Sequence, residues 1–108
     1  MAAFKLPQGN DEETRLREEA IQKATKGAAE VPLEVAEKAA ALHVRLVQLE
    51  AIAAASMKSD LRVARLMAIA GGNGALANVE INLDGLKDTA YVATMRGKVD
   101  ELRKRLSA

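Results

Sequence analysis

The thirty residues from Ser59 to Asp88, SDLRVARLMAIAGGNGALANVEINLDGLKD, keep an apolar repeat at helical spacing while carrying few bulky side chains and several glycines. Such a stretch constrains the fold more than any other, because a surface helix would be more charged and an ordinary core helix would hold fewer amides. Its isolated polar groups are Ser59, Asp60, Asn78, Asn82 and Asp88. Buried asparagines must find hydrogen-bond partners, so two of them one turn apart either lock a neighbouring helix or hold a ligand.

The rest of the composition agrees with closely packed helices: 49% of the 108 residues are hydrophobic, only 2% are aromatic, and alanine dominates the apolar set. A chain of this length forms one domain at most. Sixteen basic residues stand against fifteen acidic ones, interspersed along helices, which argues against nucleic acid as a main partner. The absence of cysteine excludes disulfides, thiol catalysis and cysteine zinc sites. No leader-like pattern opens the chain and no apolar run approaches the ~20 residues that span a bilayer, so a soluble cytoplasmic protein without a membrane partner is expected. Phosphate-loop, dinucleotide, zincin and nucleophile-elbow motifs do not occur.

Taken in order, residues 1–6 read as the last turn of a helix, ended by Pro7 and Gly9. Asn10 with Glu13 makes a capping box, with Asp11 and Glu12 in the favourable first turn. Leu16, Ala20, Ala24 and Ala28 mark one face of the helix that follows. Pro32 predicts a boundary or kink near Val31. A second stripe, Val35, Ala39, Leu42, Leu46, Leu49 and Ala53, carries helix on to about Ala55. His43, the lone histidine, sits beside this stripe without a local base or nucleophile partner, which favours packing over catalysis.

Residues 56–59 are expected to form a short break, with Ser59 or Asp60 capping the next helix. In that helix Val63, Leu66, Met67, Ala70, Ala77 and Ile81 are apolar, while Ala64, Ala68, Gly71, Gly74 and Ala75 are small enough to admit another helix closely. Three glycines in four residues favour a turn locally, yet the apolar period crosses them without a phase shift. A continuous or locally bent helix to about Ile81 is therefore expected, with a true break as the alternative. Leu83 to Lys87 reads as a loop, and Asp88 caps a last helix containing Tyr91, Val92, Met95, Val99, Leu102 and Leu106.

FKLP, then EEAIQKA, then AAEVPLEVAEKAA, then the pair SD opening an alanine-rich helix, then NVEINLDGLKD together resemble the C-terminal half of the cyclodeaminase/cyclohydrolase family. That family includes the cyclodeaminase part of formimidoyltransferase-cyclodeaminase and stand-alone methenyltetrahydrofolate cyclohydrolases. Two departures stand out. The family's glycine-rich GGGS-type segment and Asp-Ala motif, which precede the matching region, are absent, and Ala55 to Lys58 stands where a GNPNA-like loop is usual. The chain thus reads as a single all-α domain over 1–108, an up-and-down bundle that has lost its first half and is completed by oligomerisation.

The resemblance implies a dimer handling one-carbon units on tetrahydrofolate, with the folate as substrate and no bound cofactor or metal. Formimino nitrogen would leave as ammonia when the methenyl bridge closes, or water would open that bridge. On the matching positions, Asp60 is the candidate for proton transfer. Asn78 and Asn82 would bind the amide-like edge of the pterin, with Ser59 and Asp88 assisting or only capping. The alternative is a noncatalytic dimerisation module that keeps the family's packing without its chemistry. Geometry bears on both, since the 18 residues from Asp60 to Asn78 span roughly 27 Å of continuous helix. One small pocket cannot hold both unless the helix bends, the ligand is extended, or two chains share the site.

Overall fold

The computed structural model describes residues 2–7 and 9–107. After a 3-10 turn at Ala2–Lys5 come three helices: α1 (Asp11–Ile52), α2 (Ala55–Leu83) and α3 (Thr89–Arg105). They form an all-α, up-and-down arrangement with no strand among the described residues. Of the N-terminal piece, Met1 lies outside the described residues; the remainder is a 3-10 turn whose Ala3 is buried. Arg17 from α1 lies over the Phe4 ring at 5.5 Å.

The capping box forms: the Asn10 side chain accepts from the Glu13 backbone N–H at 2.8 Å, and the Glu13 carboxylate accepts from the Gly9 N–H at 2.8 Å. From there α1 runs unbroken for 42 residues through Pro32, so of the boundary or kink expected near Val31 the boundary is absent. Proline removes one backbone donor from the helix and leaves the carbonyl four residues earlier, that of Ala28, without its ordinary partner. Asn82 of α2 supplies the substitute, its amide Nδ2 donating to the Ala28 carbonyl at 3.3 Å. The cost of a mid-helix proline is thus met from the neighbouring helix.

The break between α1 and α2 falls at Ala53 and Ala54, both extended, and no side chain caps α2. Ser59 and Asp60 consequently lie in the second turn of α2 and do not start it. Alanine carries no signal for a helix end, whereas serine and aspartate do, which is why the sequence places the break a few residues late. Close to this turn, Arg65 and Glu50 join the two helices through a partly buried ion pair at 2.9 Å.

α2 passes through Gly71, Gly72 and Gly74 as continuous helix, with no glycine at positive φ among the described residues. Gly72 is where close approach is required: a Cβ there would stand 2.6 Å from a Leu106 methyl and 3.1 Å from the Ala39 Cβ. Around this point the core gathers Ala29, Leu33, Ala36 and Ala40 of α1, Leu76, Val79 and Leu83 of α2, and Met95, Val99, Leu102 and Leu106 at the end of the chain. Asp88 caps α3 as expected.

Of the stripes expected on α1, only Leu46 belongs to its buried face. Ile21, Thr25, Ala29, Leu33, Ala36, Ala40, His43 and Leu46 are buried, while Leu16, Val35, Leu42 and Leu49 are exposed. On α2 the bulky Val63, Leu66, Met67 and Ile81 are likewise exposed. Both long helices have two apolar faces, and the one with smaller side chains is buried, because alanine and glycine let the axes approach.

The molecule measures 68 × 24 × 14 Å with a radius of gyration of 18.8 Å. A compact chain of this length would have a radius of gyration of ~13 Å. The excess arises because α3 covers only part of the α1–α2 hairpin, ending where Leu106 meets Gly72 and Ala39.

Candidate functional site

A groove of about 670 Å³ runs between α1 and α2, with no residue of α3 in its walls. Ala28, Val31, Pro32 and Val35 form one wall, and Gly71, Gly74, Asn78 and Asn82 contribute to the other. Proline at 32 and glycine at 71 and 74 keep the groove open, since no side chain projects from either glycine and nothing lies within 4 Å of where their Cβ atoms would be.

Asn78 and Asn82 project from successive turns of α2 into this groove. Their situations differ. Asn82 donates to the Ala28 carbonyl across the helix pair and, at 2.9 Å, to the Asn78 carbonyl within α2, so its NH₂ group is already engaged. Its amide oxygen has no partner among the described residues and remains able to accept. Asn78 is exposed, and its whole side-chain amide is without a partner among the described residues, offering both donors and an acceptor. The pair therefore does both jobs that two amides one turn apart can do: one locks, the other is open.

The other sequence candidates are elsewhere. Ser59 and Asp60 are exposed on α2, about five turns before Asn78, and Asp60 makes no hydrogen bond or ion pair among the described residues. With α2 continuous, Asp60 and Asn78 share a side of the helix but stand roughly 27 Å apart. The helix does not bend to bring them together. His43 is buried on α1, with Nδ1 lacking a hydrogen-bond partner among the described residues, and lines none of the groove.

Asp88 sits at the start of α3, outside the groove walls. One carboxylate oxygen accepts from the Tyr91 backbone N–H at 3.1 Å, and the other meets the Lys26 ammonium at 2.8 Å. These contacts, Lys26 foremost, hold the carboxyl below its ordinary range. Around it the sequence reading missed a polar seam that fastens the α2–α3 loop to α1. Gln22 donates to the Gly85 carbonyl at 3.1 Å and accepts from the Lys87 N–H at 2.9 Å. Tyr91 donates its phenol proton to Glu30 at 2.9 Å while Lys26 lies over its ring at 4.7 Å. Burial first, and the Glu30 hydrogen bond second, push the phenol up to about 12. No local signal in the sequence pairs residues some sixty positions apart, so this seam was not legible.

Among the described residues no group of three or more His, Asp or Glu side chains is arranged to hold a metal ion. No helix there is long and apolar enough to cross a membrane.

Comparison with known proteins bears on what such a groove would hold. The family described as Formiminotransferase-cyclodeaminase matches residues 1–101. Formimidoyltransferase-cyclodeaminase of Sus scrofa is 35% identical over 102 residues, which cover 94% of this chain and 19% of that protein. The protein of the same name from Gallus gallus is 38% identical over 91 residues, covering 84% of this chain and 17% of the relative. Methenyltetrahydrofolate cyclohydrolase of Methylorubrum extorquens is 38% identical over 97 residues, covering 84% of this chain and 44% of that protein. The chain thus spans under half the length of each of these relatives.

Proposed function

The chain belongs to the formiminotransferase-cyclodeaminase family, and from that premise we propose that it works in tetrahydrofolate one-carbon metabolism, with the groove between α1 and α2 as its folate site. One observation supports this reading above others. The two segments that carry the family likeness most specifically, VPLEVAE and NVEINLDGLKD, each contribute to one of the two facing walls of that single groove, through Val31, Pro32 and Val35 and through Asn78, Ile81 and Asn82.

The chemistry follows from what the walls offer. A pterin presents an amide-like edge of alternating donors and acceptors, which the free amide of Asn78 and the free carbonyl oxygen of Asn82 complement. Val31, Val35 and Pro32 give the ring an apolar surface, and the glycines let it lie close to the backbone of α2. Two reactions fit. In cyclodeamination N10 attacks the formimino carbon on N5, the C–N bond to the departing nitrogen breaks, and that nitrogen takes up protons and leaves as ammonia. In hydrolysis water adds to the methenyl carbon, gives up a proton, and the ring opens to the formyl form. Both need a group that moves a proton at this carbon; Asp60, the candidate for it, stands roughly 27 Å along α2 from Asn78 in its own chain, so the role requires an extended ligand or a second chain, with Ser59 and Asp88 in support. A homodimer in the cytoplasm belongs to the same reading.

The second reading, a noncatalytic dimerisation module, is favoured by the long exposed apolar surface and by the distance of Asp60 from the groove. Thermal unfolding with and without 5-formyltetrahydrofolate separates the two, because a ligand that binds only the folded state raises the melting temperature further as its free concentration increases. The folate reading expects a concentration-dependent rise that Asn78→Leu abolishes. An unchanged melting temperature for a well-folded chain supports the dimerisation module.

A further inference from the structure

The amide of Asn82 is not free to choose which end it turns toward the groove. Its Nδ2 lies 3.3 Å from the Ala28 carbonyl oxygen and 2.9 Å from the Asn78 carbonyl oxygen, two groups that can only accept. Exchanging the ends of the amide would set oxygen against oxygen at both contacts, so only the NH₂ end fits there. The backbone that carries it is held as well, since Val79 and Leu83 on the same helix are buried in the core. Oδ1 is what remains. Among the described residues the buried side-chain polar atoms without a partner are Arg17 Nε and His43 Nδ1, so the unpartnered Oδ1 of this groove-lining residue is accessible.

Pro32 makes this lock strict. A carbonyl in mid-helix ordinarily accepts from the N–H four residues on, and a side-chain amide beside it has to share that oxygen. Proline has no N–H, so the Ala28 oxygen goes unserved by its own helix and takes the Asn82 proton as its donor. Asn78, one turn earlier in the same wall, is the contrast. Its amide has no partner among the described residues and can turn either end toward a ligand. Discrimination between a donor and an acceptor on the ligand therefore falls to Asn82.

We infer that Asn82 is the specificity-determining residue of the groove and Pro32 its positioning residue, the two together presenting an acceptor that the ligand must meet with an N–H. The inference rests on the folate reading and names the feature of the pterin that is read: the edge bearing its ring N–H and exocyclic amine. A heterocycle that brings only carbonyl oxygens and alkylated nitrogens to that edge sets acceptor against acceptor and is rejected.

Pterin-6-carboxylate and 1,3-dimethyllumazine-6-carboxylate share a ring system and an acid group and differ at that edge. The first carries N–H donors there; the second has carbonyls and N-methyl groups, for which a groove of about 670 Å³ has room. In chemical-shift titrations of the wild-type chain the pterin should bind roughly ten- to a hundredfold more tightly, the effect of one hydrogen bond replaced by two facing acceptors. Pro32→Ala returns a helical donor to Ala28 and loosens the amide, so the preference should fall by roughly threefold or more while the melting temperature does not fall. A proline with only a structural role would move stability and leave the ratio alone. In Pro32→Ala/Asn82→Leu the helix itself satisfies Ala28, so folding is retained, and the two compounds should bind within about twofold of each other. A wild-type ratio near one overturns the inference, as does a preference that persists in the double variant or a chain that binds 5-formyltetrahydrofolate but not the pterin; saturable binding of that folate keeps the folate reading in each case. An unchanged ratio in Pro32→Ala overturns the role given to the proline. A folded chain that binds neither the folate nor the pterin overturns both the inference and the folate reading.

Discussion

Pro32 and Asn82 are a residue-scale pair whose meaning neither residue discloses alone. The proline strips the Ala28 carbonyl of its helical donor, and the asparagine replaces it from α2. Asn82→Ala should lower stability by about 1 kcal/mol in urea unfolding, the net worth of one hydrogen bond that water can partly replace. In a Pro32→Ala background the helix supplies its own donor to Ala28, and the same substitution should cost distinctly less. Equal costs in the two backgrounds would show that the pair is not coupled. The amide at 82 was readable as a group needing a partner; that its partner is a carbonyl freed by proline was not, because the two positions meet only after α1 and α2 pack.

Tyr91 makes the second residue-scale case. Its folded-state pKa, about 12, lies above the ordinary phenol value near 10. A raised pKa contributes stability that is fully present below pH 10 and is lost as pH rises from there through about 12. As the single tyrosine in a chain without tryptophan, its ionisation can be followed by absorbance without interference. Phenolate should appear well above pH 10 while the chain stays helical, and Glu30→Gln should lower the midpoint only part of the way, because burial is the larger cause. A midpoint near 10 in the folded chain would mean that the phenol is neither buried nor bonded to Glu30.

For the elements, glycine position decides outcome. Gly72→Ala gains about 1 kcal/mol of helix propensity but sets a methyl against Leu106 and Ala39, and overpacking of that sort costs about 1–3 kcal/mol. A net loss of about 1 kcal/mol is expected. Gly97→Ala, in α3 with nothing within 4 Å of the added carbon, should instead raise stability by about 0.5–1 kcal/mol. Thermal unfolding of the two variants checks both signs, and a shift in the same direction for both would refute the packing assigned to Gly72.

How much of the elements was legible follows from the same logic. The caps at Asn10 and Asp88 were readable because a short side-chain oxygen bonds its own backbone within one turn, a purely local event. The continuity of α2 through its glycines was readable from the unbroken apolar phase. Pro32 was over-read as a boundary, its cost being met by another helix, and the Ala53–Ala54 turn was missed because alanine has no preference for it. The stripes through Val35, Leu42 and Leu49 and through Val63 and Met67 were real apolar faces, though of their members only Leu46 is buried. Hydrophobic periodicity finds an apolar side without saying whether the chain itself covers it. Of the site, the groove asparagines were legible and their separation from Asp60 was computable, whereas the glycine and valine walls emerge only from the packing.

At the scale of the whole molecule, an elongated hairpin with one short covering helix leaves a large apolar side open, and the groove with the family's two signature segments lies beside it. The relatives are at least twice as long as the stretch they share with this chain, so the account turns on whether these residues by themselves hold folate. Calorimetric titration of the purified chain with 5-formyltetrahydrofolate tests that most directly. Saturable binding at one site per chain, lost in Asn78→Leu and kept in Gly97→Ala, is the predicted result. A folded chain that releases no binding heat and shows no saturation at millimolar folate would contradict it.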